Sequence, residues 1–509
     1  MVPSKVWKPE ESKEWILASS KRLGGSVKVP TISYDGMPLN VTSDPRFQIF
    51  DAFHDYLRET FPLVHSRARI TKVNHYGLVF EFKGSDQSLK PALYAGHQDV
   101  VPVPSDTLDQ WKFPPFEGHY DVETDLLWGR GSSDDKNMLI GILEALERLL
   151  EEGFENSRTI LVASGFDEEV GGPRGAGKIG LELERLYGKG GDGKDYPFEF
   201  VLDEGGLGVG EEQGIDIAMP AVAEKGYTDI KVEIRTLGGH SAVPPDHTAI
   251  GILSSILKKI EDNPHKPSLT PRNPILTHLI CLAEALESNV SSQGRTQKAS
   301  DGEPKKWNEV AARIAREGTR TQKYVLQTSQ AIDVVNGGLK ANALPESASA
   351  VINHRIAVDS SLFEIQHRLE GMIRPLAESF GLKVIVGGEQ QEGEAQDPAG
   401  TLRITFLTSS EPTPVSPWTN AQFGRLASTI RHVFPGKDGR ERLVTPVVMT
   451  GNTDLRHYLN LSQNLWRFNP NTYMMNSNKH TVGENMNMYA HAQTARFIHA
   501  LIRNTDEAL

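Results

Sequence analysis

Hydrophobic residues in the first half of the chain form short apolar runs that alternate with amphipathic stretches. Three of these runs, at residues 93–96, 159–163 and 198–202, have the length of buried strands. Residues 137–152 instead repeat Leu and Ile at helical spacing, and Gly153 ends that pattern. Strands that alternate with helices predict an α/β fold with a doubly wound, mostly parallel sheet.

The pattern changes in the second half of the chain. Residues 227–234 alternate polar and apolar side chains, which is typical of a half-exposed antiparallel strand. A helix is expected at 247–261, and the polar residues 287–322 indicate a surface excursion with room for one helix. The elements expected after it are strands at 348–356 and 382–386 and a helix at 362–380. This order of elements predicts a small α+β domain.

The small α+β domain is expected to interrupt the larger one. A chain of 509 residues exceeds what one core usually organises, and prolines at 412, 414 and 417 mark a return to the first domain. Residues 420–435 and 486–503 have helical patterns that would complete it. We therefore expect a larger domain formed by residues 1–223 and 413–509, with an inserted domain at 224–412.

Composition and charge narrow the classes of function. Apolar residues make up 38% of the chain and charged residues 24%, as in ordinary globular proteins. The net charge of −12 argues against a nucleic-acid partner, because such partners require a basic face. Cys281 is the only cysteine, which excludes an intramolecular disulfide and a thiolate zinc site. Any metal must therefore be held by His, Asp and Glu.

Residues that could hold metals follow the predicted strands. In open α/β sheets, ligands bind beyond the carboxyl ends of the strands. Two imidazoles and three carboxylates would suit two divalent ions with one carboxylate shared, and a further carboxylate could then take a proton from a shared water. The candidates are His97 and Asp99 after the first strand, Asp134 before the helix, Glu168 and Glu169 after the second strand, Asp203 after the third, and His480 in a polar loop.

Each candidate also has an ordinary structural interpretation. A single His at a strand end is usually a satisfied structural residue, and an Asp before a helix, such as Asp134, usually caps it. Adjacent glutamates are usually a solvated pair, although Glu168 and Glu169 lie between an apolar strand and a glycine-rich turn. Taken one at a time, the spacing does not decide between these interpretations and a metal site.

Several ordered motifs resemble the M20 metallopeptidase family. They are GHQDVVP at 96–102, WGRGSSDDKN at 128–137, DEEVGGPRGAG at 167–177, LDEGG at 202–206, GGHSAVPP at 238–245 and HTVGE at 480–484. Segments such as VNHYGLVFEF, WKFPPFEGHYD and TSSEPTPVSP are most similar to the fungal carboxypeptidase S, or Gly-Xaa carboxypeptidase, branch of that family. The resemblance implies a zinc-peptidase-like catalytic domain and an inserted, ferredoxin-like lid domain.

The resemblance also assigns roles to the candidate ligands. It implies two Zn²⁺ ions, which Co²⁺ or Mn²⁺ can replace, with Asp134 bridging them. His97 and Asp203 would complete one site, and Glu169 and His480 would complete the other.

The same resemblance assigns different roles to Asp99 and Glu168. Asp99 would accept a hydrogen bond from the imidazole of His97 and orient it. Glu168 would act as the general base that takes a proton from water and returns it to the leaving amine. A cis peptide bond is implied after Asp134.

The inserted domain is expected to contact the substrate. His240 resembles a lid histidine that, in dimeric relatives, reaches the partner subunit's site and stabilises the oxyanion. Asn342 and Arg355 resemble a pair that binds the substrate carboxylate, for which a guanidinium is well shaped. The TGNTDLRHY segment matches a loop that helps to hold the same end of the substrate through Gly451, Thr453 and Arg456. The alternatives are that GGH is only a turn and that Arg355 is only a cation at a strand edge.

The sequence departs from the family pattern at two places. The last motif reads HTVGE rather than the more usual H-x-x-N-E, which is expected to loosen the turn after His480. The N-terminal residues contain no apolar run long enough for a signal peptide or a membrane anchor. We therefore expect a cytoplasmic protein as written, or a vacuolar one if a longer natural chain carries an anchor.

These observations predict a zinc-dependent amidohydrolase that acts on a small peptide or an N-acyl amino acid with a free carboxylate. Carboxypeptidase and acylase activities both remain open, as does amide formation by the reverse reaction. A zinc-binding ligand sensor without turnover is the alternative from another class. A homodimer formed through the lid domain is a further expectation.

Overall fold

The computed structural model describes residues 7–191, 193, 195–290, 304–387, 400–472 and 476–506. The α-helices α1 to α12 are, in chain order, Lys13–Val27, Ile49–Thr60, Pro62–Arg67, Lys136–Glu151, Ala176–Tyr187, Ala249–Glu261, Pro274–Val290, Pro304–Glu317, Arg320–Tyr324, Leu362–Ser379, Ala421–Val433 and Met488–Thr505. None of the helices in these ranges combines the length and the apolarity needed to cross a membrane.

The strands are numbered β1 to β20 in the same way. They are Arg69–Val73, Gly77–Phe82, Ala92–Ala95, His119–Asp121, Leu126–Trp128, Ile160–Ser164, Phe200–Asp203, Val209–Glu212, Ile215–Ala218, Ala221–Glu224, Gly226–Arg235, Ser329–Gly337, Ser347–Ile356, Lys383–Val386, Thr401–Ser410, Leu443–Val444, Val447–Met449, Leu465–Arg467, Asn476–Ser477 and Asn485–Asn487.

The larger domain is built on an eight-stranded sheet in the order β1-β2-β6-β3-β7-β18-β10-β17. Its centre, from β6 through β3 and β7 to β18, is parallel, whereas β1 and β2 form an antiparallel edge. Helices α4, α11 and α12 cover one face and α5 covers the other. Because both faces are covered, the central strands are continuously apolar. The predicted α/β fold is confirmed, with β3, β6, β7 and α4 within two residues of their expected positions.

The inserted domain has a second sheet, in the order β12-β13-β11-β15-β14. Strand β11 alternates buried and partly exposed residues along its whole length, as its sequence pattern predicts. Helices α6 and α10 pack their apolar faces against one side of the sheet. Strand β12 forms one edge of the sheet, and Val334 and Val335 on it are 45% and 60% exposed.

The segment between α6 and β12 differs from the prediction. Instead of a surface excursion with one helix, it contains α7, α8 and α9, and residues 291–303 of the expected excursion lie outside the described part of the chain. Ile275 of α7 and Ala311 of α8 share a core with β9 and β17, and Leu326, which follows α9, joins it. The polar composition of 287–322 concealed α8 and α9, whereas most of α7 precedes that segment.

Candidate active site

Polar side chains meet at the carboxyl edge of the parallel strands β3, β6 and β7. His97 lies two residues beyond β3, Glu168 begins a short 3-10 helix after β6, and Glu204 directly follows β7. Asp134 lies just before α4, and His480 lies between β19 and β20. The predicted rim of the sheet therefore gathers residues that are far apart in the sequence, as expected for an open α/β sheet.

Two groups of three potential ligands share Asp134. The first contains His97, Asp134 and Glu204, and the second contains Asp134, Glu169 and His480; within each group the ligand atoms lie within 4.8 Å of one another. Nε2 of His480 is 3.3 Å from Oδ2 of Asp134 and 3.0 Å from Oε2 of Glu169. Nε2 of His97 is 3.4 Å from Oδ1 of Asp134. Asp134 thus presents one oxygen to each group, as a bridging carboxylate would.

The structure groups a different carboxylate with His97 and Asp134, and the assignment of Asp203 as a ligand stays a prediction. Glu204, and not Asp203, lies with His97 and Asp134. Side chains alternate between the two faces along a strand, so a shift of one residue at the end of β7 changes the direction of the carboxylate. Oδ1 of Asp203 accepts a hydrogen bond from the backbone N–H of Glu204 at 2.9 Å. Asp203 itself is buried beside Glu224 and Thr453, where burial raises its pKa to about 6.

The loop that carries Asp134 is held by a carboxylate from the last motif. Glu484 is fully buried, and its oxygens accept hydrogen bonds from Arg130, from the backbone N–H groups of Gly131, Ser133 and Asp134, and from the hydroxyl of Ser133. The peptide bond after Asp134 is cis, as the resemblance implied.

The unusual glycine in the HTVGE motif fits its position in the turn. Gly483 has φ of 74°, in the left-handed region that glycine and asparagine adopt most readily. The exchange of the more usual Asn for Gly therefore preserves the backbone conformation, and the turn after His480 need not loosen.

Asp99 contacts two segments of the site, the one that carries His97 and the one that carries Glu168 and Glu169. It is fully buried; Nδ1 of His97 is hydrogen-bonded to the backbone carbonyl of Asp99 at 3.0 Å and lies 3.2 Å from Oδ1 of the same residue. Its oxygens also accept hydrogen bonds from the backbone N–H groups of Glu168 and Glu169 and from the hydroxyl of Ser33. Asp99 therefore positions His97, Glu169 and the predicted base Glu168.

The pKa values of the site reflect an excess of carboxylates over positively charged groups. Burial, reinforced by Asp454, Glu169 and Glu204, raises the pKa of Glu168 well above its usual range. Burial likewise raises the pKa of Glu204 to about 7. Hydrogen bonds to Asp134 and Glu169 raise the pKa of His480 to about 10. Protons are held here by crowded carboxylates, and divalent cations would replace them.

Three buried atoms of the predicted ligands have no hydrogen-bond partner among the described residues. They are Nε2 of His97 and Oε1 of Glu169, one in each group, and Oδ2 of Asp203. Buried polar atoms are nearly always paired, so their orientation toward the cleft requires an explanation. Divalent metal ions with nitrogen and oxygen ligands fit both positions and the donor set.

Lys479 also lies beside the two groups of potential ligands, and it was not among the residues predicted from the sequence. Its Nζ is 3.6 Å from Oδ2 of Asp134 and 3.7 Å from Oε2 of Glu204. Burial acts to lower the pKa of Lys479, but the surrounding carboxylates raise it above its ordinary value. Its position beside His480 in the sequence was the only available signal.

The predicted substrate-binding residues do not all lie at the cleft. Gly451 lines it, and so does Asn452, whose Oδ1 accepts a hydrogen bond from Nη1 of Arg355 at 3.0 Å. The guanidinium of Arg355 also lies 4.8 Å from the ring centre of Tyr227. Arg456 is partly buried beside the loop that follows Glu169, where its guanidinium would lie 3.4 Å from a Cβ atom at Gly171. Arg355 therefore extends from the lid sheet toward the metal groups.

Thr453 is placed differently from its prediction. Its side chain is fully buried, and its hydroxyl donates to Oε1 of Glu224 at 2.7 Å. The same hydroxyl accepts a hydrogen bond from the N–H of Leu455 and so caps a short 3-10 helix. Thr453 shapes the loop that contains Gly451 and Asn452, but it does not present a free group to the cleft.

His240 and Asn342 lie together on the lid, away from the metal groups. Both are exposed, and His240 forms an antiparallel bridge with Ala343. The N–H of Ser241 donates to the carbonyl of Asn342. Neither residue lines the cleft of about 400 Å³ that contains Asp134, Glu168 and Glu169.

Comparisons with known proteins identify relatives of the chain. The family model for Peptidase family M20/M25/M40 matches residues 93–504. Carboxypeptidase S of Saccharomyces cerevisiae is 38% identical over 496 residues, which cover 96% of this chain and 84% of that protein. The N-fatty-acyl-amino acid synthase/hydrolase PM20D1 of Bos taurus is 31% identical over 510 residues, which cover 97% and 89%. The M20 family metallo-carboxypeptidase Sso-CP2 of Sulfolobus solfataricus has the same fold, with a TM-score of 0.62, 16% identity and coverage of 96% and 99%.

Proposed function

Because the chain belongs to peptidase family M20/M25/M40 and is a metallopeptidase of that family, we propose that it hydrolyses an amide or peptide bond next to a free carboxylate. The observation that carries this proposal is the pair of ligand groups that share Asp134. Glu168 lies beside both groups, with its Oε2 4.0 Å from Nε2 of His97. A shared carboxylate with a spare acid beside it is the arrangement that water activation requires.

His97, Asp134 and Glu204 would hold one ion, and Asp134, Glu169 and His480 would hold the other. Zinc suits these nitrogen and oxygen ligands, and Co²⁺ or Mn²⁺ can take the same positions. When bound, two such ions lower the pKa of a shared water and polarise the scissile carbonyl.

Glu168 takes the proton from the water and returns it to the leaving amine. As a carboxylate it can accept the proton, and as the resulting acid it can release that proton to the more basic amine. The N–H of Glu168 donates to Asp99, so its backbone is fixed relative to His97. Proton transfer then needs only a rotation of the glutamate side chain.

Arg355 is proposed to bind the free carboxylate of the substrate, with Arg456 close to it. Both guanidinium groups lie near the ring of Tyr227, at the side of the cleft that faces the lid. Planar guanidinium groups bind carboxylates with two parallel hydrogen bonds. Substrates of this kind include small peptides with a free C-terminus and N-acyl amino acids.

A second candidate function uses the same site in the direction of amide formation. One of the relatives described above is named as an N-fatty-acyl-amino acid synthase and hydrolase. A site that stabilises the transition state of hydrolysis also stabilises that of its reverse, so the direction depends on substrate concentrations. A ligand sensor without turnover is less well supported, because the base and both ligand groups are present.

A homodimer through the lid is proposed as well. His240 and Asn342 are exposed and lie away from the metal groups, and the neighbouring edge strand β12 exposes Val334 and Val335. An unpaired edge with apolar side chains is suited to pairing with a second copy of the chain. A vacuolar location for a chain with an N-terminal anchor stays a prediction.

The test is hydrolysis of a panel of N-acyl amino acids and Gly-Xaa dipeptides. Chelation should abolish activity, and zinc should restore it. Glu168→Ala should keep two metals per chain and lose several orders of magnitude in kcat, because water activation and proton return share this group. Glu14→Ala, at an exposed position of α1, serves as the matched control and should behave as the wild type.

Two outcomes would contradict the proposal. Wild-type rates in metal-loaded Glu168→Ala would remove the base from the mechanism. A wild-type protein that binds two metals and hydrolyses nothing in the panel would favour the sensor.

A further inference from the structure

One stretch of the larger domain, residues 449–458, contacts both the proposed carboxylate site and the turn that carries the proposed base. We call it the connecting segment. Its residue Asn452 lines the cleft, and a short 3-10 helix, Asp454–His457, follows. The side chains of Leu455 and Tyr458 are fully buried in a core that they share with α5. The connecting segment is therefore anchored firmly in the larger domain.

The first end of the connecting segment holds Arg355 of the lid. Oδ1 of Asn452 accepts a hydrogen bond from Nη1 of Arg355 at 3.0 Å, and Nδ2 of Asn452 donates to the carbonyl of Lys225 at 2.7 Å. The ring of Tyr227 lies against the same guanidinium, with its centre 4.8 Å from Cζ. An arginine held by an amide and an aromatic ring retains N–H groups for a substrate carboxylate.

The second end of the connecting segment holds the turn after β6. Nε2 of His457 is 2.9 Å from the carbonyl oxygen of Gly171. A carbonyl oxygen can only accept, so Nε2 carries the proton and donates it. The N–H of Gly171 donates in turn to the carbonyl of Glu168 at 2.7 Å. Two hydrogen bonds therefore link the imidazole of His457 to the backbone of the proposed base.

The carboxylate of Asp454 inserts into the same turn. A Cβ atom at Gly172 would collide with Oδ1 of Asp454, and one at Gly165, directly after β6, would collide with Oδ2. A Cβ atom at Gly172 would also lie 2.9 Å from Nε2 of His457. The turn and the connecting segment are thus in close contact, which only glycine at these positions permits.

A fixed connection between the two ends sets the distance between two parts of the substrate. The substrate carboxylate would lie at Arg355, and the scissile amide would lie beside Glu168. One additional methylene group between them adds a bond of about 1.5 Å, and a misplacement of about 1 Å can lower a rate by about 100-fold. The geometry therefore favours substrates in which one carbon atom separates the amide nitrogen from the carboxylate.

We propose that His457 is a positioning residue that fixes this distance and so restricts the substrate to amides of α-amino acids. The inference rests on the proposed function, because it assumes that the amide lies beside Glu168 and the carboxylate at Arg355. Amides of β- and γ-amino acids would be poor substrates, because their carboxylates lie one or two carbon atoms further away. His457 acts through Gly171 and is not among the residues that line the cleft.

The test uses the acyl or glycyl group that the wild type removes fastest in the panel described above, joined to glycine, β-alanine and γ-aminobutyrate. At saturating zinc, the wild type should prefer the glycine derivative to the β-alanine derivative by at least about 100-fold in kcat/KM. His457→Leu should reduce this preference by at least about tenfold, chiefly through a lower kcat for the glycine derivative. His457→Gln retains an N–H donor and should keep most of the preference. His432→Leu, at an exposed position of α11, is the control and should match the wild type.

The preference between substrates separates positioning from a general loss of stability. A variant that is only less stable loses activity on all three derivatives by the same factor. An unchanged preference in His457→Leu would overturn the role of His457, and so would a wild type that hydrolyses the glycine and β-alanine derivatives equally well. If the zinc-loaded wild type hydrolyses no member of the panel, the proposed function itself fails.

Hydrogen exchange provides a second measurement that does not depend on turnover. The backbone amides of residues 170–172 should exchange faster in His457→Leu than in the wild type by about fivefold or more, as expected for the loss of one hydrogen bond. His457→Gln and His432→Leu should exchange at the wild-type rate. Equal exchange of this turn in His457→Leu and the wild type would show that the connecting segment does not hold it, and the inference would be wrong.

Discussion

Asp99 illustrates how a residue without contact to the substrate can control the site. It orients His97 and fixes the backbone of Glu168 and Glu169, all from a fully buried position. Groups that orient metal ligands commonly change metal affinity or activity by about 10- to 100-fold when they are replaced. We expect the replacement of Asp99 to change zinc affinity and activity by a factor in the same range.

We therefore expect Asp99→Asn to reduce zinc affinity and kcat/KM by about 10- to 100-fold. The amide retains one acceptor oxygen but places an NH₂ group against the N–H donors of the glutamates. Zinc titration monitored by activity measures the effect. Ser33→Ala removes only one hydrogen bond to Asp99 and should have a smaller effect. Equal zinc affinity in Asp99→Asn and the wild type would contradict this role.

The neighbouring residues Asp203 and Glu204 provide a second prediction. Glu204→Gln should reduce the metal content from two ions to about one per chain, because Glu204 completes the group with His97 and Asp134. Asp203→Asn should retain both, because Asp203 faces the buried side of the sheet edge. Elemental analysis of both purified variants distinguishes them. Loss of a metal only in Asp203→Asn would restore the assignment made from the sequence.

At the scale of single residues, the ordered motifs identified the segments of the site, but not always the residue within a segment. The LDEGG motif contains two adjacent carboxylates, and only the direction in which β7 ends places Glu204, rather than Asp203, beside His97 and Asp134. Thr453 has a similar explanation, because a hydroxyl that caps a helix and one that binds a ligand look alike in a sequence. Lys479 had no pattern of its own.

Among the secondary-structure elements, strand β13 carries both a lid residue for the substrate and a buried histidine. His354 is 1% exposed, and its ring lies edge-on to that of His265, with ring centres 5.6 Å apart. Burial lowers the pKa of His354 to about 4 and that of His265 to about 3, and Arg368 adds to both effects. The folded lid therefore holds both rings neutral.

This arrangement predicts that the lid loses stability in acid. The pKa of histidine in an unfolded chain is about 6.5, so the unfolded state binds more protons than the folded state between that pH and about pH 4. The free energy of unfolding must then fall as the pH falls through this window.

His354→Leu should reduce this pH dependence, and thermal unfolding between pH 7 and pH 4.5 measures it. His367→Leu, at an exposed position of α10, is the control and should keep the wild-type slope. An unchanged slope in His354→Leu would show that other groups control the acid stability of the lid.

The elements were predicted best where the periodicity was strong and continuous. Strand β11 follows from its pattern because it buries every second side chain, and α4 follows because it is apolar and buried along most of its length. Helices α8 and α9 were not predicted in the same way, because residues 287–322 are mostly polar. Helix α7 packs on β17, at the edge of the eight-stranded sheet, and on β9 and β16 of a separate three-stranded sheet.

At the scale of the whole molecule, the two chain crossings between the domains lie side by side. Thr413 donates its N–H to the carbonyl of Glu224, and its hydroxyl accepts the N–H of Glu224. A Cβ atom at Gly226 would lie 2.6 Å from the nitrogen of Pro412, so only glycine fits there. The two chain crossings thus lie at one point, while helices α7 and α8 form a second, apolar contact with β9 and β17.

Arg355 already reaches Asn452 at the edge of the cleft, where it is proposed to bind the substrate carboxylate. Arg355→Ala should raise KM for free-carboxylate substrates by about 10- to 100-fold, as expected for loss of a charge-assisted pair of hydrogen bonds. Metal content should not change, because no ligand lies on the lid. Arg235→Ala, on the neighbouring lid strand, is the control. A wild type that hydrolyses a substrate and its C-terminal amide equally well would contradict the role of Arg355.

The contact between Glu484 and the Asp134 loop has a consequence for the synthesis of the protein on the ribosome. The five donors of that loop have their acceptor about 350 residues further along the chain, so they cannot pair until Glu484 has been synthesised. The nascent polypeptide carries Glu168 and most of the metal ligands long before His480 and Glu484 emerge. Under the proposed function, neither the second ligand group nor the loop is complete without them, so the growing chain would act on amides only after translation has nearly finished.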